Sequence, residues 1–132
     1  MSSKKVLDVG QCNMDHTRIS EVLNESFNVE VLRAHSNGEA IEMAKQDSFD
    51  LILINRLFDR DGSPGMDTLT QLKSDTNLSE VPVMVVSNFE DAQNAAVAAG
   101  AVPGFGKAAL NEPAGTSATV ALLSEFLGTP NQ

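Results

Sequence analysis

The chain has 132 residues, of which 42% are hydrophobic and 20% charged, and its formal net charge at pH 7 is −9. These values are typical of one globular domain that buries about two-thirds of its unfolded surface, and they exclude a disordered chain. The negative charge disfavours nucleic acids and anionic membranes as partners, because both present phosphate groups.

Five short apolar segments punctuate the chain, and a segment with helical spacing of its apolar residues follows each of them. The apolar segments lack strict alternation, which is typical of strands covered on both faces; they comprise residues 6–9, 29–32, 51–54, 81–86 and 101–105. Gly100 ends the fourth helical segment, and Pro113 suits the first turn of the fifth. The pattern predicts an α/β domain with five parallel strands in a doubly wound sheet.

In sheets of this kind, functional side chains gather where the strands end. The loops that follow the strands are residues 10–13, 55–65, 87–90 and 106–111. We expect a single domain over residues 1–132, with its core at about 4–127 and a frayed tail at 128–132.

The N-terminal segment carries an apolar run that Asp8 interrupts too early for a signal peptide. No stretch reaches the roughly 18 apolar residues that a membrane span needs. A single cysteine excludes an internal disulfide. We therefore expect a cytoplasmic protein that binds neither membrane nor nucleic acid.

Three stretches of the chain resemble the receiver domain of response regulators in two-component signalling. Residues 36–44 with 49–55 resemble the family's second helix and third strand, and residues 81–87 resemble its fourth strand. Residues 100–107 resemble its fifth strand, with Lys107 in the place of the family's lysine. The resemblance covers roughly residues 4–127 and implies a flavodoxin-like (βα)5 fold with the strand order 2-1-3-4-5.

The resemblance also implies a phosphorylation site, and this chain departs from it. A working receiver holds Mg²⁺ with two carboxylates after its first strand, and accepts the phosphoryl group on an aspartate that ends its third strand. Here Gly10 and Gln11 match the carboxylate pair and Asn55 matches the acceptor, while only Ser87 and Lys107 keep the family's residue types.

These departures remove the groups that bind Mg²⁺ and accept the phosphoryl group. Mg²⁺ requires anionic oxygens, whereas Gly10 offers none and Gln11 offers a neutral amide. The amide of Asn55 is no nucleophile for phosphoryl transfer. We expect Asn55→Asp alone not to restore phosphorylation, while the same change at positions 10, 11 and 55 together could.

The sequence thus predicts a pseudo-receiver without enzymatic activity, metal or cofactor, which acts as a phosphorylation-independent protein-protein interaction module. Gly104 supports this, because it stands where the family has its switch aromatic. The predicted interface is the face of the fourth helix, fifth strand and fifth helix, where Val97, Leu122 and Phe126 widen the apolar surface. A protein partner or a second copy of the chain would dock there.

Two alternatives stay open. In the first, the domain is phosphorylated at a non-standard site, with Asp8 or Asp15 replacing the missing acidic pair. In the second, Cys12 and Arg18 form the Cys-x5-Arg loop of a phosphatase. Asp15 inside that loop disfavours the phosphatase, because it would repel a bound phosphate.

Overall fold

The computed structural model of the protein describes residues 3–131. Within them the strands are β1 (Lys4–Val9), β2 (Val29–Ala34), β3 (Leu51–Asn55) and β4 (Val83–Val86). The α-helices are α1 (Asn13–Ser26), α2 (Asn37–Gln46), α3 (Gly65–Ser74), α4 (Glu90–Ala98) and α5 (Pro113–Leu127). A short 3₁₀ helix, Lys107–Asn111, precedes α5.

The strands form one parallel sheet in the order β2-β1-β3-β4. The two central strands are buried on both faces, as their continuous apolar runs predict; all of Leu51, Ile52, Leu53 and Ile54 are inaccessible to solvent. At the carboxyl ends of the strands, Val9 pairs with Ala34 and Ile54, and Asn55 pairs with Val86. The loops that follow β1, β3 and β4 therefore meet at one edge of the sheet.

Two apolar layers cover the sheet. One contains Leu7, Ile52 and Val85 together with residues of α2 and α3. The other contains Val6, Leu53 and Met84 together with residues of α1 and α5. These layers hold the strand ends in fixed positions, so the loop residues at the carboxyl edge have a rigid base.

The prediction of a fifth strand at residues 101–105 is wrong, because this segment pairs with β4 only at its ends. The Val102 N–H donates to the carbonyl of Val83 at 2.9 Å, and the Ser87 N–H donates to the carbonyl of Phe105 at 3.0 Å. Between these bonds Pro103 has no N–H to offer a ladder. Within residues 3–131 the sheet thus has four strands, in the order 2-1-3-4.

The side chain of Gln93, on α4, occupies the middle of this gap. Its amide nitrogen donates to the carbonyls of Val85 at 2.8 Å and Ser87 at 3.2 Å. Its amide oxygen accepts from the Gly104 N–H at 3.0 Å. The side chain satisfies backbone groups that a fifth strand would otherwise pair, and it links α4 to the edge of the sheet.

No helix among residues 3–131 has the length and apolar character needed to cross a membrane. The frayed tail at 128–132 stays a prediction: residue 132 lies outside the described ones, and the backbone N–H of Asn131 donates to the Ser26 carbonyl at 2.6 Å.

Candidate functional site at the carboxyl edge of the sheet

The structure brings together four of the five residues predicted to form the degenerate phosphorylation site. Asn55, Ser87 and Lys107 line one shallow cavity of about 270 Å³. Gly10 contacts this group through its carbonyl oxygen, to which the Asn55 amide nitrogen donates at 3.0 Å. Gln11 lines a different cavity, on the other side of the β1–α1 loop.

The hydrogen bond from Asn55 explains why an amide suits this position. Its acceptor is a carbonyl oxygen, and an ionised carboxylate at position 55 would have no proton to donate. The Gly10 carbonyl also accepts from the Asp59 N–H at 2.9 Å, which ties the loop after β3 to the loop after β1. The residue that matches the family's phosphoacceptor thus serves as a structural donor.

Lys107 is bound to a carboxylate from another element. Its ammonium group lies 2.7 Å from Oδ2 of Asp15, in the first turn of α1. Partial burial by itself raises the pKa of Asp15, but the hydrogen bonds to Lys107 and Cys12 and the charge of Lys107 together lower the pKa below its ordinary value. The cation that a receiver uses to hold phosphate is therefore already paired.

An aromatic ring fills the space beside Gly10. Gly10 has a φ of +80°, and a Cβ atom there would overlap the ring of Phe58. Phe58 is 2% exposed and belongs to the long loop after β3, which folds back through a hydrogen bond from the Phe58 N–H to the Ser63 carbonyl at 2.8 Å. Gly10 and Phe58 do not fit a Mg²⁺ site, because the metal needs oxygen ligands and this space holds a glycine and a buried aromatic ring.

Ser87 has a local role at the start of α4. Its hydroxyl oxygen accepts from the Phe89 N–H at 3.1 Å, and the residue is buried. The adjacent Asn88 accepts from the Ala108 N–H at 3.0 Å. These two bonds fix the loops that border the cavity.

Asp8, which interrupts the first apolar run of the sequence, has a partner that the sequence pattern did not reveal, His16. Asp8 is fully buried, and its Oδ2 lies at hydrogen-bonding distance, 2.6 Å, from Nδ1 of the His16 ring. Burial raises the pKa of Asp8 above its ordinary value, and the hydrogen bond to His16 opposes that rise. On the other side of the ring, Nε2 lies 3.4 Å from the Ser20 hydroxyl.

Both acidic residues that could replace the missing metal ligands are already bound to other side chains. Asp8 is bound to His16 and Asp15 to Lys107, each at hydrogen-bonding distance. Among residues 3–131 no group of three or more His, Cys, Asp or Glu side chains lies close enough to hold a metal ion.

Cys12 and Arg18 do not share a cavity. Cys12 caps α1, its Sγ accepting from the Asp15 N–H at 3.4 Å. The Arg18 guanidinium turns away and donates to the Leu110 carbonyl at 2.9 Å. A phosphatase loop needs both groups around one phosphate, and this arrangement does not supply them.

Exposed apolar side chains surround the carboxyl edge, and sequence analysis missed them. Met14 is 80% exposed and Phe89 60%, and Leu57 lies on the intervening loop. The Arg56 guanidinium lies over the Phe89 ring, 4.9 Å from its centre. These apolar side chains lie in a loop or at the start of a helix, where no periodic signal would have revealed them.

The three predicted interface residues differ in exposure. Val97, on α4, is 44% exposed. Leu122 and Phe126, on α5, are partly buried and pack against the apolar layer beneath them. Of the three, only Val97 is freely accessible at the surface.

No family model matches the sequence, and no curated protein sequence matches it. The fold is similar to that of solved response-regulator structures. One is a protein of Chloroflexus aurantiacus J-10-fl provisionally assigned as a response regulator; it has 19% identity and a TM-score of 0.81, with 96% of this chain and 98% of that chain covered. The phosphorylated cyanobacterial phytochrome response regulator RcpA has 24% identity and a TM-score of 0.75, with coverages of 99% and 100%.

The receiver domain of the sensor histidine kinase PA1611 of Pseudomonas aeruginosa PAO1 holds a magnesium ion in its active-site cleft. It has 17% identity to this chain and a TM-score of 0.74, with 97% of this chain and 100% of that chain covered. At these identities the likeness concerns the fold: the chain has the α/β fold of receiver domains, with four strands assigned among the described residues.

Proposed function

We propose that this chain is a pseudo-receiver that acts in signal transduction as a phosphorylation-independent protein-protein interaction module, and that it is not an enzyme. The receiver fold supports a signalling role, since the similar structures include a phosphorylated response regulator and a magnesium-bound receiver. The chemistry of this chain differs at the metal-binding and acceptor positions, where Gly10, Gln11 and Asn55 stand.

The observation that carries the proposal is the pairing of the two groups central to phosphoryl transfer. Lys107 is bound to Asp15 at 2.7 Å, and Asn55 donates to the Gly10 carbonyl at 3.0 Å. Both contacts would have to break before a phosphoryl group could be accepted and held. A domain in which both groups are paired transmits a signal through the proteins that it binds.

The chemistry of α4 and α5 defines the partner that we propose. Neither helix contains lysine or arginine, while Glu90, Asp91 and Glu125 give this face a negative charge. Two chains with a charge of −9 repel each other, which disfavours a homodimer. We therefore favour a protein partner with a basic rim around an apolar centre that docks beside Val97.

A photo-crosslinking amino acid at position 97 tests this face. We expect a discrete crosslinked product in a lysate of the source cells, because Val97 is exposed and lies on the predicted interface. The matched control is position 45 on α2, which is also exposed and lies on another helix. Added excess of wild-type chain should compete the product away, whereas a Val97→Glu competitor should fail to do so.

Equal crosslinking from positions 97 and 45 would contradict the proposed face, and a product that requires acetyl phosphate would contradict phosphorylation-independent binding. Leu122→Glu is unsuitable as the deciding variant, because Leu122 packs against the apolar layer and a buried charge there would destabilise the fold.

A further inference from the structure

A second cavity at the carboxyl edge, of about 510 Å³, lies between the N-terminus of α1, the end of β2 and the loop after β3. Its walls include two arginines, Arg33 and Arg60, and one carboxylate, Asp59. Two of the four arginines of the chain thus line one cavity, although the chain as a whole is strongly acidic. The cavity, which we call the α1 cavity, is distinct from the one that contains Ser87 and Lys107.

Gln11 in the wall of the α1 cavity has unsatisfied polar atoms. It is 2% exposed, and neither its amide nitrogen nor its amide oxygen has a hydrogen-bond partner. It lies near Asp8 without forming a hydrogen bond of normal geometry. Buried amides are rarely left in this state, so a ligand that accepts or donates at Gln11 would relieve an unfavourable term.

Arg33 is held in place beside this amide. Its Nη2 donates to the Gln11 carbonyl at 2.9 Å, while its buried Nε has no partner. A guanidinium fixed by one bond loses little further conformational entropy when it binds an anion through its free N–H groups.

The first turn of α1 adds backbone donors to the same wall. Asn13 and Met14 line the cavity, and the N–H groups of the first turn of a helix lack acceptors within the helix. Cys12 caps only the Asp15 N–H, at 3.4 Å. The positive end of the helix dipole therefore faces the cavity from one side, and the two arginines face it from others.

We propose that the α1 cavity binds a small organic molecule through a phosphate monoester group. The phosphate would accept hydrogen bonds from Arg33, Arg60 and the first turn of α1. The volume is within the range of small-molecule pockets, roughly 300 to 1,000 Å³. Since the cavity lining contains one carboxylate, Asp59, against two guanidinium groups, the walls attract an anion in spite of the chain's overall charge.

Amide NMR titration of the intact chain tests this site, with phenyl phosphate as the organic probe, inorganic phosphate as the second arm, and sodium chloride at equal ionic strength as the control. We expect saturable shifts at Gln11, Asn13 and Met14 with phenyl phosphate, weaker binding of inorganic phosphate, and no saturable shift with chloride. Arg60→Ala should weaken binding by about tenfold or more, because it removes a charge-assisted hydrogen bond.

Arg56→Ala is the matched control, since Arg56 lies on the same loop and its loss changes the net charge equally. It should leave the affinity within about twofold of the wild type, as should Lys107→Met in the neighbouring cavity. Absence of saturation at millimolar probe would overturn the proposal. Equal weakening by Arg56→Ala and Arg60→Ala would also overturn it, because the binding would then reflect net charge alone.

Discussion

A Gly10→Ala variant is expected to lose about 3 kcal/mol of unfolding free energy. Part of the loss is backbone strain, since φ at Gly10 is +80° and left-handed backbone costs other residues about 1–2 kcal/mol. The rest is overpacking, about 1–3 kcal/mol, because the new methyl group would overlap the buried Phe58 ring. Urea unfolding followed by circular dichroism measures the difference.

Gly62→Ala separates the two contributions. Gly62 has a φ of +74°, but a Cβ atom there would meet nothing within 4 Å. This control should lose only the strain, about 1 kcal/mol. Phe58→Ala in the Gly10→Ala background should reduce the cost of the methyl group, and equal losses for Gly10→Ala and Gly62→Ala would show that Phe58 does not fill this space.

The same contact bears on the variant with aspartates at positions 10, 11 and 55. Aspartate at position 10 is larger than alanine and would meet the same ring. Aspartate at position 55 would also lose the hydrogen bond to the Gly10 carbonyl. We expect this triple variant to be strongly destabilised, and restoration of a receiver site by it would require Phe58 to move away from position 10.

His16→Ala is expected to lose about 3 kcal/mol at neutral pH, because it leaves the buried Asp8 carboxylate without its hydrogen-bond donor. Burial raises the pKa of Asp8 in the folded protein above its unfolded value. The contribution of Asp8 to stability is therefore fully present below the pKa that Asp8 has in the unfolded chain. It is lost as the pH rises through the pKa that Asp8 has in the folded protein.

The difference between wild type and His16→Ala should accordingly narrow as the pH falls, since a protonated Asp8 no longer places a charge in the core. Unfolding curves from acidic to neutral pH measure this trend. Asp8→Asn is the matched control: His16→Ala should cost less in that background, where no carboxylate remains. A pH-independent loss of the same size in both backgrounds would assign the effect to the packing of the ring.

Sequence patterns were sufficient for β1 to β4 and the helices between them, because central parallel strands are apolar throughout and their helices have one apolar face. The segment 101–105 is equally apolar, yet it is no strand. What decides its structure is the amide of Gln93, a residue that no strand pattern includes. Pro103 was the available signal, since proline lacks the N–H group that a ladder needs.

The spacing of residues along the sequence was enough to predict which residues lie at the carboxyl edge, but not which side chains they contact. The pairs Lys107–Asp15 and Gly10–Phe58 join residues far apart in sequence, and nothing local specifies them. Asp8 and His16 were within reach of sequence reasoning. A carboxylate in a buried strand needs a donor, and a histidine in the first turns of the next helix is well placed to provide one.

The central claim is that this receiver fold is not phosphorylated. Intact-mass spectrometry after incubation with acetyl phosphate and Mg²⁺ tests it most directly, with a parallel incubation in EDTA. We predict an unmodified mass in both, because Asn55 is no acceptor and Lys107 is held by Asp15. A gain of one phosphoryl group that requires Mg²⁺ and disappears in Asp8→Asn or Asp15→Asn would contradict the claim and identify a non-standard acceptor.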